Sequence, residues 1–391
     1  MTDESSYEAG NLCHGASIDL RKWLALGLMA IVLQGCKKVD ASTRAGSIEL
    51  TREFSFPDIG MEPKAVATDK QGNVVVVVGA IKGQGFAMAT NRDGKTLWRY
   101  QHAPDAASGY KSSFESTLQL EDGNFLLCGY QSRTNDASTG LMLIVDPGGH
   151  VIEQRLEQPE NNVALQRGTF THCVRWQSGV AAIGRTSEDQ RSAFWIATLD
   201  GRGRKLRDRV VRENLPSMEV TPTTDGGLTL SNYDGIGLQM MLVKINPAGD
   251  VVARRTIKSF GSVLLRSVKT ASVIQTLNYG VGNTATLHTL NEDLRDYGHS
   301  SEVDFDARKS CGFSLPDGSA LLFGRTTNAA AVLVGHEGTV VSRFTFDAKF
   351  KSFAVNDAYA VSPTEFVTVR YSVSADPKNQ GLVVSWLKIS N

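Results

Sequence analysis

Short apolar runs alternate with polar turns along most of the chain, and this alternation is periodic. A polar turn ending in glycine leads into an apolar run of strand length, as at residues 71–73 and 74–79, and a second glycine often follows the run. The steps between successive turn glycines are 51, 56, 47 and 92 residues, the last being two steps of 46. A period of this size is typical of a repeat architecture. The turn glycines are Gly72, Gly123, Gly179, Gly226 and Gly318.

A second tight turn divides each period, as at residues 145–149 and 199–201. Asp, Asn, Pro and Gly supply the backbone angles of reverse turns, so each of these turns is expected to join two strands as a hairpin. The apolar runs are rich in Val, Leu, Ile and Phe and too short for helices, and no long stretch of helical spacing follows residue 35. Two hairpins make four strands in about 40 to 50 residues, which predicts the blade of a β-propeller.

Five copies of the repeat are clear, and residues 268–274 and 361–369 fill the positions where two weaker copies are due. The chain ends in what we interpret as the third strand of the last blade, at residues 382–389. Residues 48–54 resemble the fourth strands of other blades, such as 151–155 and 251–255. We therefore predict an all-β protein, a seven-bladed β-propeller of four-stranded antiparallel blades with the ring closed by an N-terminal strand. The alternative is that this strand pairs elsewhere.

The N-terminal region predicts export from the cytoplasm. Arg21 and Lys22 precede an uninterrupted apolar segment, residues 23–33, which is shorter than a membrane span. The following Leu33-Gln34-Gly35-Cys36 resembles a bacterial lipobox, in which Cys36 would carry the lipid, including palmitate. We predict a signal peptide at 1–35 with the true start near residue 20, a tether at 36–46 and a propeller at 47–391. The alternative is an ordinary signal peptide with an incidental cysteine.

Charge and cysteine content narrow the class of partner and the compartment. Removal of residues 1–35 leaves 39 basic and 37 acidic residues, a net charge of +2, so no attraction to nucleic acid is expected. Cys128, Cys173 and Cys311 then remain besides Cys36, and an odd number cannot all pair within the chain. We expect all three to be buried free thiols, with a bridge between Cys128 and Cys173 as the alternative.

Motifs for catalysis are sparse. The histidines are scattered without metal-ligand spacing, and the Asp-Gly turns lack the alternating carboxylates of a calcium loop. Ser108-Gly109-Tyr110-Lys111 matches Ser-x-x-Lys, but it lies in a loop that enters a strand instead of at the start of a helix. There is no Gly-x-Ser-x-Gly elbow and no phosphate-binding or dinucleotide-binding loop. We predict no catalytic residue, no metal and no cofactor.

One group of basic residues points to a binding surface. The tripeptide Gly-Arg-Thr recurs at 184–186 and 324–326, after the second strands of blades three and six. In a four-stranded blade the second-to-third loop and the connection to the next blade share one face, which we name the top face; the glycine turns lie on the bottom face. The alternative to a basic rim is solvated loop charge balanced by nearby acids. The predicted rim consists of Lys64, Lys111, Arg185, Lys309 and Arg325.

The recurrent Asp-Gly-Gly, apolar strand and Gly pattern resembles bacterial propellers of the quinoprotein-like superfamily, over residues 47–391. With the lipobox, the chain also resembles, more distantly, the propeller lipoprotein of the outer-membrane β-barrel assembly machinery, although that family has eight blades and a more regular Trp-containing repeat, to which only residues 94–98 come close. The resemblance implies a scaffold without catalysis.

We predict a lipid-anchored binding or scaffold protein that recognises a protein partner through top-face loops. Lys37 instead of Asp after Cys36 favours the outer membrane, facing the periplasm. One alternative is a periplasmic propeller enzyme, a hydrolase or lactonase-like protein. Another is an immunity or inhibitor lipoprotein against a secreted toxin.

Overall fold

The propeller unit spans Arg44–Asn391. The computed structural model describes residues 46–102, 109–133, 138–159, 167–188, 191–212, 219–234, 237–268, 273–279, 284–305, 311–324, 330–346, 355–372 and 381–390. The predicted signal peptide and lipidated Cys36 lie outside the described residues. Within those residues, no helix has both the length and the apolar character needed to cross a membrane.

The strands form a ring of seven four-stranded blades, as the repeat predicts. β1 (Ser47–Phe56) comes first in the chain but belongs to the last blade. Blade 1 contains β2 (Glu62–Thr68), β3 (Val74–Ile81), β4 (Gln84–Asn91) and β5 (Thr96–His102). Blade 2 contains β6 (Tyr110–Gln119), β7 (Phe125–Arg133), β8 (Ser138–Val145) and β9 (Val151–Glu157). Blade 3 contains β10 (Arg167–Trp176), β11 (Gly179–Glu188), β12 (Arg191–Leu199) and β13 (Lys205–Val211).

The remaining blades follow the same order. Blade 4 contains β14 (Glu219–Pro222), β15 (Leu228–Asp234), β16 (Gln239–Ile245) and β17 (Val251–Lys258). Blade 5 contains β18 (Ser262–Leu264), continued by β19 (Arg266–Ser267), then β20 (Val273–Tyr279), β21 (Thr284–Asn291) and β22 (Asp296–Asp304). Blade 6 contains β23 (Cys311–Ser314), β24 (Ala320–Phe323), β25 (Ala331–Val334) and β26 (Val340–Phe344). Blade 7 contains β27 (Asp357–Ala360), β28 (Glu365–Ser372), β29 (Gly381–Ser390) and β1.

The ring is closed by strand pairing between the two ends of the propeller. β1 pairs antiparallel with β29 from Ser47 opposite Ser390 to Phe56 opposite Leu382, with a bulge between Leu50 and Arg52. β1 is therefore the fourth, outer strand of blade 7, which agrees with its predicted role. The pairing covers the edge that β29 would otherwise expose.

Apolar layers between neighbouring blades form the core, and they explain the continuous apolar runs of the sequence. In β3, Val75 and Val77 pack in the layer against blade 7, whereas Val76 and Val78 pack in the layer against blade 2. Because successive side chains of a strand point to opposite faces, a blade buried on both faces needs apolar residues at every position. The second and third strands of the blades meet this need.

A second set of contacts joins the outer strands to the next blade around the ring. The side chain at the middle of a fourth strand donates a hydrogen bond to a carbonyl oxygen in the third-to-fourth turn of the following blade. This contact accounts for the arginine that recurs in the fourth strands and in β1. The donors and acceptors are Arg52 and Arg92 O, Trp98 and Pro147 O, Arg155 and Gly203 O, Arg209 and Ala248 O, Arg255 and Leu294 O, and Ser301 and Glu337 O.

A buried ion pair fastens β1 within blade 7. The side chain of Arg370, on β28, is 0% exposed, and its Nη2 donates to Glu53 Oε2 on β1 at 2.6 Å. The same oxygen accepts a hydrogen bond from Ser385 Oγ on the intervening β29, at 3.0 Å. The guanidinium carbon lies 3.8 Å from the centre of the Phe346 ring. Burial lowers the pKa of Arg370 to about 10, partly offset by the charge of Glu53, so the pair is formed at neutral pH.

Replacement of Glu53 by Ala should destabilise the propeller strongly, because it removes a partner of a fully buried cation. We expect the free energy of unfolding to fall by about 3 kcal/mol. The matched control is Glu49→Ala, in the same strand, where the exposed carboxylate contacts only Ser47 within the described chain. Urea unfolding followed by tryptophan fluorescence measures both variants, and equal effects would contradict the role of the pair.

Candidate functional site

A cavity of about 370 Å³ lies on the axis of the ring, walled by the first strands of all seven blades. These strands run from the top face to the bottom face and end in the glycine turns. Gln119 is the last residue of β6 and the exposed Arg175 is the second to last of β10, so the cavity reaches the bottom face there. Its polar and aromatic wall residues include Thr117, His172, Arg175, Arg266, Phe313, Asp357 and Tyr359.

One position of the repeat supplies polar side chains at the same level of the axis. Ser116, His172, Glu219 and Cys311 each lie seven residues before the turn glycine of their blade. In blade 7 the corresponding first strand begins with Asp357. The equivalent residue of blade 1 is Ala65, so the ring of polar groups is interrupted there.

Arg266 in blade 5 and Asp357 in blade 7 form the central ion pair. The pair thus links two blades that are separated by blade 6. Arg266 Nη2 contacts Asp357 Oδ1, and Arg266 Nη1 donates to the carbonyl oxygen of Ala358 at 3.1 Å. Asp357 Oδ2 accepts the backbone N–H of Val66 in blade 1 at 2.9 Å. Burial alone would lower the pKa of Arg266, but the Asp357 carboxylate raises it above its ordinary value. The guanidinium also lies 5.5 Å from the centre of the Phe313 ring.

Glu219 is the most perturbed carboxyl group of the channel. Its Oε2 accepts the backbone N–H of Leu264, so it joins blade 4 to blade 5. Burial raises the pKa of Glu219 to about 7; the bond to Leu264 and the charge of Arg266 oppose the rise, and the charge of Asp357 adds to it. The group therefore titrates near neutral pH.

His172 and Cys311 are uncharged under ordinary conditions. Burial lowers the pKa of His172 to about 3, and the positive charges of Arg266 and Arg185 lower it further. Burial raises the pKa of the Cys311 thiol to about 12, against the effect of Arg266. A buried thiol that stays protonated is a poor nucleophile. Neither group is suited to act as a base or nucleophile at neutral pH.

The expectation that all three cysteines are free was wrong. Cys128 on β7 and Cys173 on β10 form a disulfide between blades 2 and 3, with their Cα atoms 6.6 Å apart. A second strand lies beside the first strand of the next blade, which brings these two residues within bridging distance. Cys173 also lines the cavity. Cys311 is a buried free thiol, as expected.

The predicted rim residues lie on several blades, and acids accompany them. Lys64 on β2 is half-buried and its Nζ lies 3.1 Å from Glu62 Oε1, while Lys111 on β6 is exposed. Burial lowers the pKa of Arg185 on β11, and the charge of Glu115 opposes this. Lys309 and Arg325 lie outside the described residues. The rim as a binding surface stays a prediction.

The sequence did not point to Glu219, Arg266 or Asp357. Each belongs to a different repeat, and only the closed ring brings the three together. An alignment of the repeats on their turn glycines would have placed Glu219 and His172 at one level. Within the described part of the chain, no group of three or more His, Cys, Asp or Glu side chains is arranged to hold a metal ion.

Comparison with known proteins shows the fold and leaves the family open. No protein-family model matches the sequence, and no curated protein matches it. A protein of unknown function from Dyadobacter fermentans is 12% identical, with 88% of this chain and 99% of that chain covered and a TM-score of 0.52. The periplasmic gluconolactonase of Pseudomonas aeruginosa is 14% identical, with 71% and 83% covered and a TM-score of 0.51. The WD40 domain of Neurospora crassa Pan2 is 10% identical, with 87% and 95% covered and a TM-score of 0.52.

Replacement of Glu219 by Gln should stabilise the protein relative to the wild type, and this stability difference should increase as pH rises. The folded state holds the Glu219 proton more tightly than the unfolded chain does, so the wild-type protein loses stability as pH rises from 4.5 to about 7. Glutamine does not titrate and can still accept the Leu264 N–H. We expect the stability difference between variant and wild type to grow by roughly 2 to 3 kcal/mol across that range.

Urea unfolding at pH 4.5 and pH 8 measures this difference. The exposed Glu121→Gln is the control for loss of a surface carboxylate. A stability difference for Glu219→Gln that stays constant with pH would show that folding does not raise the pKa of Glu219.

Proposed function

We propose that this protein is a lipid-anchored binding or scaffold protein of the bacterial envelope, without catalytic activity, that recognises a protein partner through the loops of its top face. The proposal rests on one observation: the charged groups of the channel form ion pairs and hydrogen bonds between different blades. Asp357 binds Arg266 and the Val66 N–H, and Glu219 binds the Leu264 N–H. These contacts stiffen the ring. A rigid frame with variable loops is a common arrangement for recognition.

The disulfide and the position of β1 support the proposed location. A disulfide persists in oxidising compartments such as the periplasm. Ser47 begins β1 at the bottom face, opposite Ser390 and near the turn where Ile389 N donates to Thr364 O. A tether from a lipid on Cys36 would join the propeller at that face, so the top face would point away from the membrane. We propose the outer membrane, on the periplasmic side, because Lys37 follows Cys36.

The enzyme alternative has one supporting observation, the near-neutral pKa of Glu219, and the periplasmic gluconolactonase shows that this fold can carry such activity. Against it, the Glu219 carboxylate is hydrogen-bonded to the backbone of the next blade, and Asp357 is bonded through both oxygens. The inhibitor alternative would use the same top-face loops as the scaffold does.

Site-specific photo-cross-linking in cells tests the proposal. A benzophenone amino acid in place of the exposed Lys111, at the top end of β6, should capture a distinct protein partner. The same residue in place of the exposed Arg202, in a bottom-face turn, should not capture it. Charge reversal of Arg185 and Arg325 together should weaken the cross-link if the basic rim takes part.

The lipid anchor is tested in the same cells. Cys36→Ser should abolish labelling with palmitate and release the protein from the membrane fraction. The proposal fails if the Lys111 and Arg202 positions capture the same proteins, or if Cys36→Ser stays acylated and membrane-bound.

A further inference from the structure

Some hydrogen-bond donors of the cavity wall are not used by the contacts between blades. The Arg266 side chain keeps 37% of its surface exposed within the ring, and only two of its five N–H groups are used by Asp357 and Ala358. Thr117 also belongs to the cavity wall, but its Oγ1 is buried and does not reach the cavity space.

Arg175 places a second cation at the bottom mouth of the cavity. Its Nη2 donates to the carbonyl oxygen of Gln119 at 2.6 Å, and it forms no ion pair with the described carboxylates. Asp69 and Arg175 both act on the pKa of Tyr359, so the three lie near one another. Asp69 Oδ1, however, accepts the turn N–H groups of Asn73 and Val74. Arg175 therefore keeps N–H groups that can donate to a ligand.

The carboxylate and side-chain amide oxygens of the wall are already occupied. Both oxygens of Asp357 are bonded, and Gln119 Oε1 accepts the N–H of Lys70 at 2.9 Å. The space between the cationic mouth and Arg266 is bounded by apolar side chains. These include Val66, Val174, Val220, Val268 and Phe313. The site thus offers hydrogen-bond donors at its mouth and at Arg266, around an apolar interior.

We propose that the central cavity binds a small organic carboxylate that enters from the bottom face. The carboxylate group meets Arg175 and the Tyr359 hydroxyl at the mouth, and the apolar body of the ligand packs between the valines and Phe313. An acceptor atom at its far end meets Arg266. A volume near 370 Å³ suits a ligand at the small end of the range for protein pockets. This site is separate from the top face, so it does not depend on the proposed protein partner.

Calorimetric titration with acetate, succinate and benzoate tests the proposal, with the corresponding amides as uncharged controls of the same shape. We expect at least one carboxylate to bind and its amide to bind about tenfold more weakly or not at all. Arg175→Leu should weaken binding of that carboxylate about tenfold, because it removes the charge at the mouth.

Two further variants make the outcome specific to the cavity. Thr117→Val removes a hydroxyl that does not reach the cavity space, so the protein should fold normally and bind as the wild type does. Arg202→Leu, in an exposed bottom-face turn away from the cavity wall, should bind as the wild type does. The proposal is overturned if no carboxylate binds, if amides bind equally well, or if Arg175→Leu and Arg202→Leu bind alike.

Discussion

The pairing of β1 with β29 is the contact on which the rest of the structure depends. A propeller stacks blades in a ring, and every blade buries both faces only when the ring is complete. Without β1, blade 7 would expose the edge of β29 and lose Glu53, the partner of the buried Arg370. It would also lose Arg52, which reaches the turn of blade 1. One strand thus secures both the last blade and its contact with the first.

Two sets of polar contacts hold the ring at different radii. Near the circumference, outer-strand side chains donate to carbonyl oxygens of the next blade's turn. Near the axis, Glu219, Arg266 and Asp357 link first strands of different blades. The inner set is sensitive to pH in two directions. Ionised Glu219 and protonated His172 each destabilise the folded state. The channel is therefore most stable at pH values high enough to keep His172 neutral and low enough to keep Glu219 protonated.

The sequence predicted the architecture because its causes are local and repeated. Glycine turns and strand-length apolar runs recur in most blades and could be counted. Blade 5 was weak in the sequence for a visible reason. Its third-to-fourth turn has Leu294 at a φ of 62° where other blades have glycine, and its first strand is divided into β18 and β19. β1 was found because residues 48–54 resemble the fourth strands at 151–155 and 251–255.

The channel could not be predicted in the same way. Glu219, Arg266 and Asp357 belong to three different blades, one and two repeats apart, and each resembles an isolated surface charge until the ring brings them together. The disulfide was predicted only as the alternative for the same reason: Cys128 and Cys173 lie on different strands of neighbouring blades, and only the stacking of those blades makes them adjacent. Repeats reveal a scaffold, whereas features that differ between blades need the three-dimensional ring.

Native-state hydrogen exchange of the β1 amides tests ring closure most directly. If β1 completes blade 7, its paired amides should exchange only through global unfolding, with the same opening free energy as the amides of the central strand β3. Exchange of the β1 amides at a much lower opening free energy, while β3 stays protected, would contradict closure by this strand. The propeller would then be held together without its N-terminal strand.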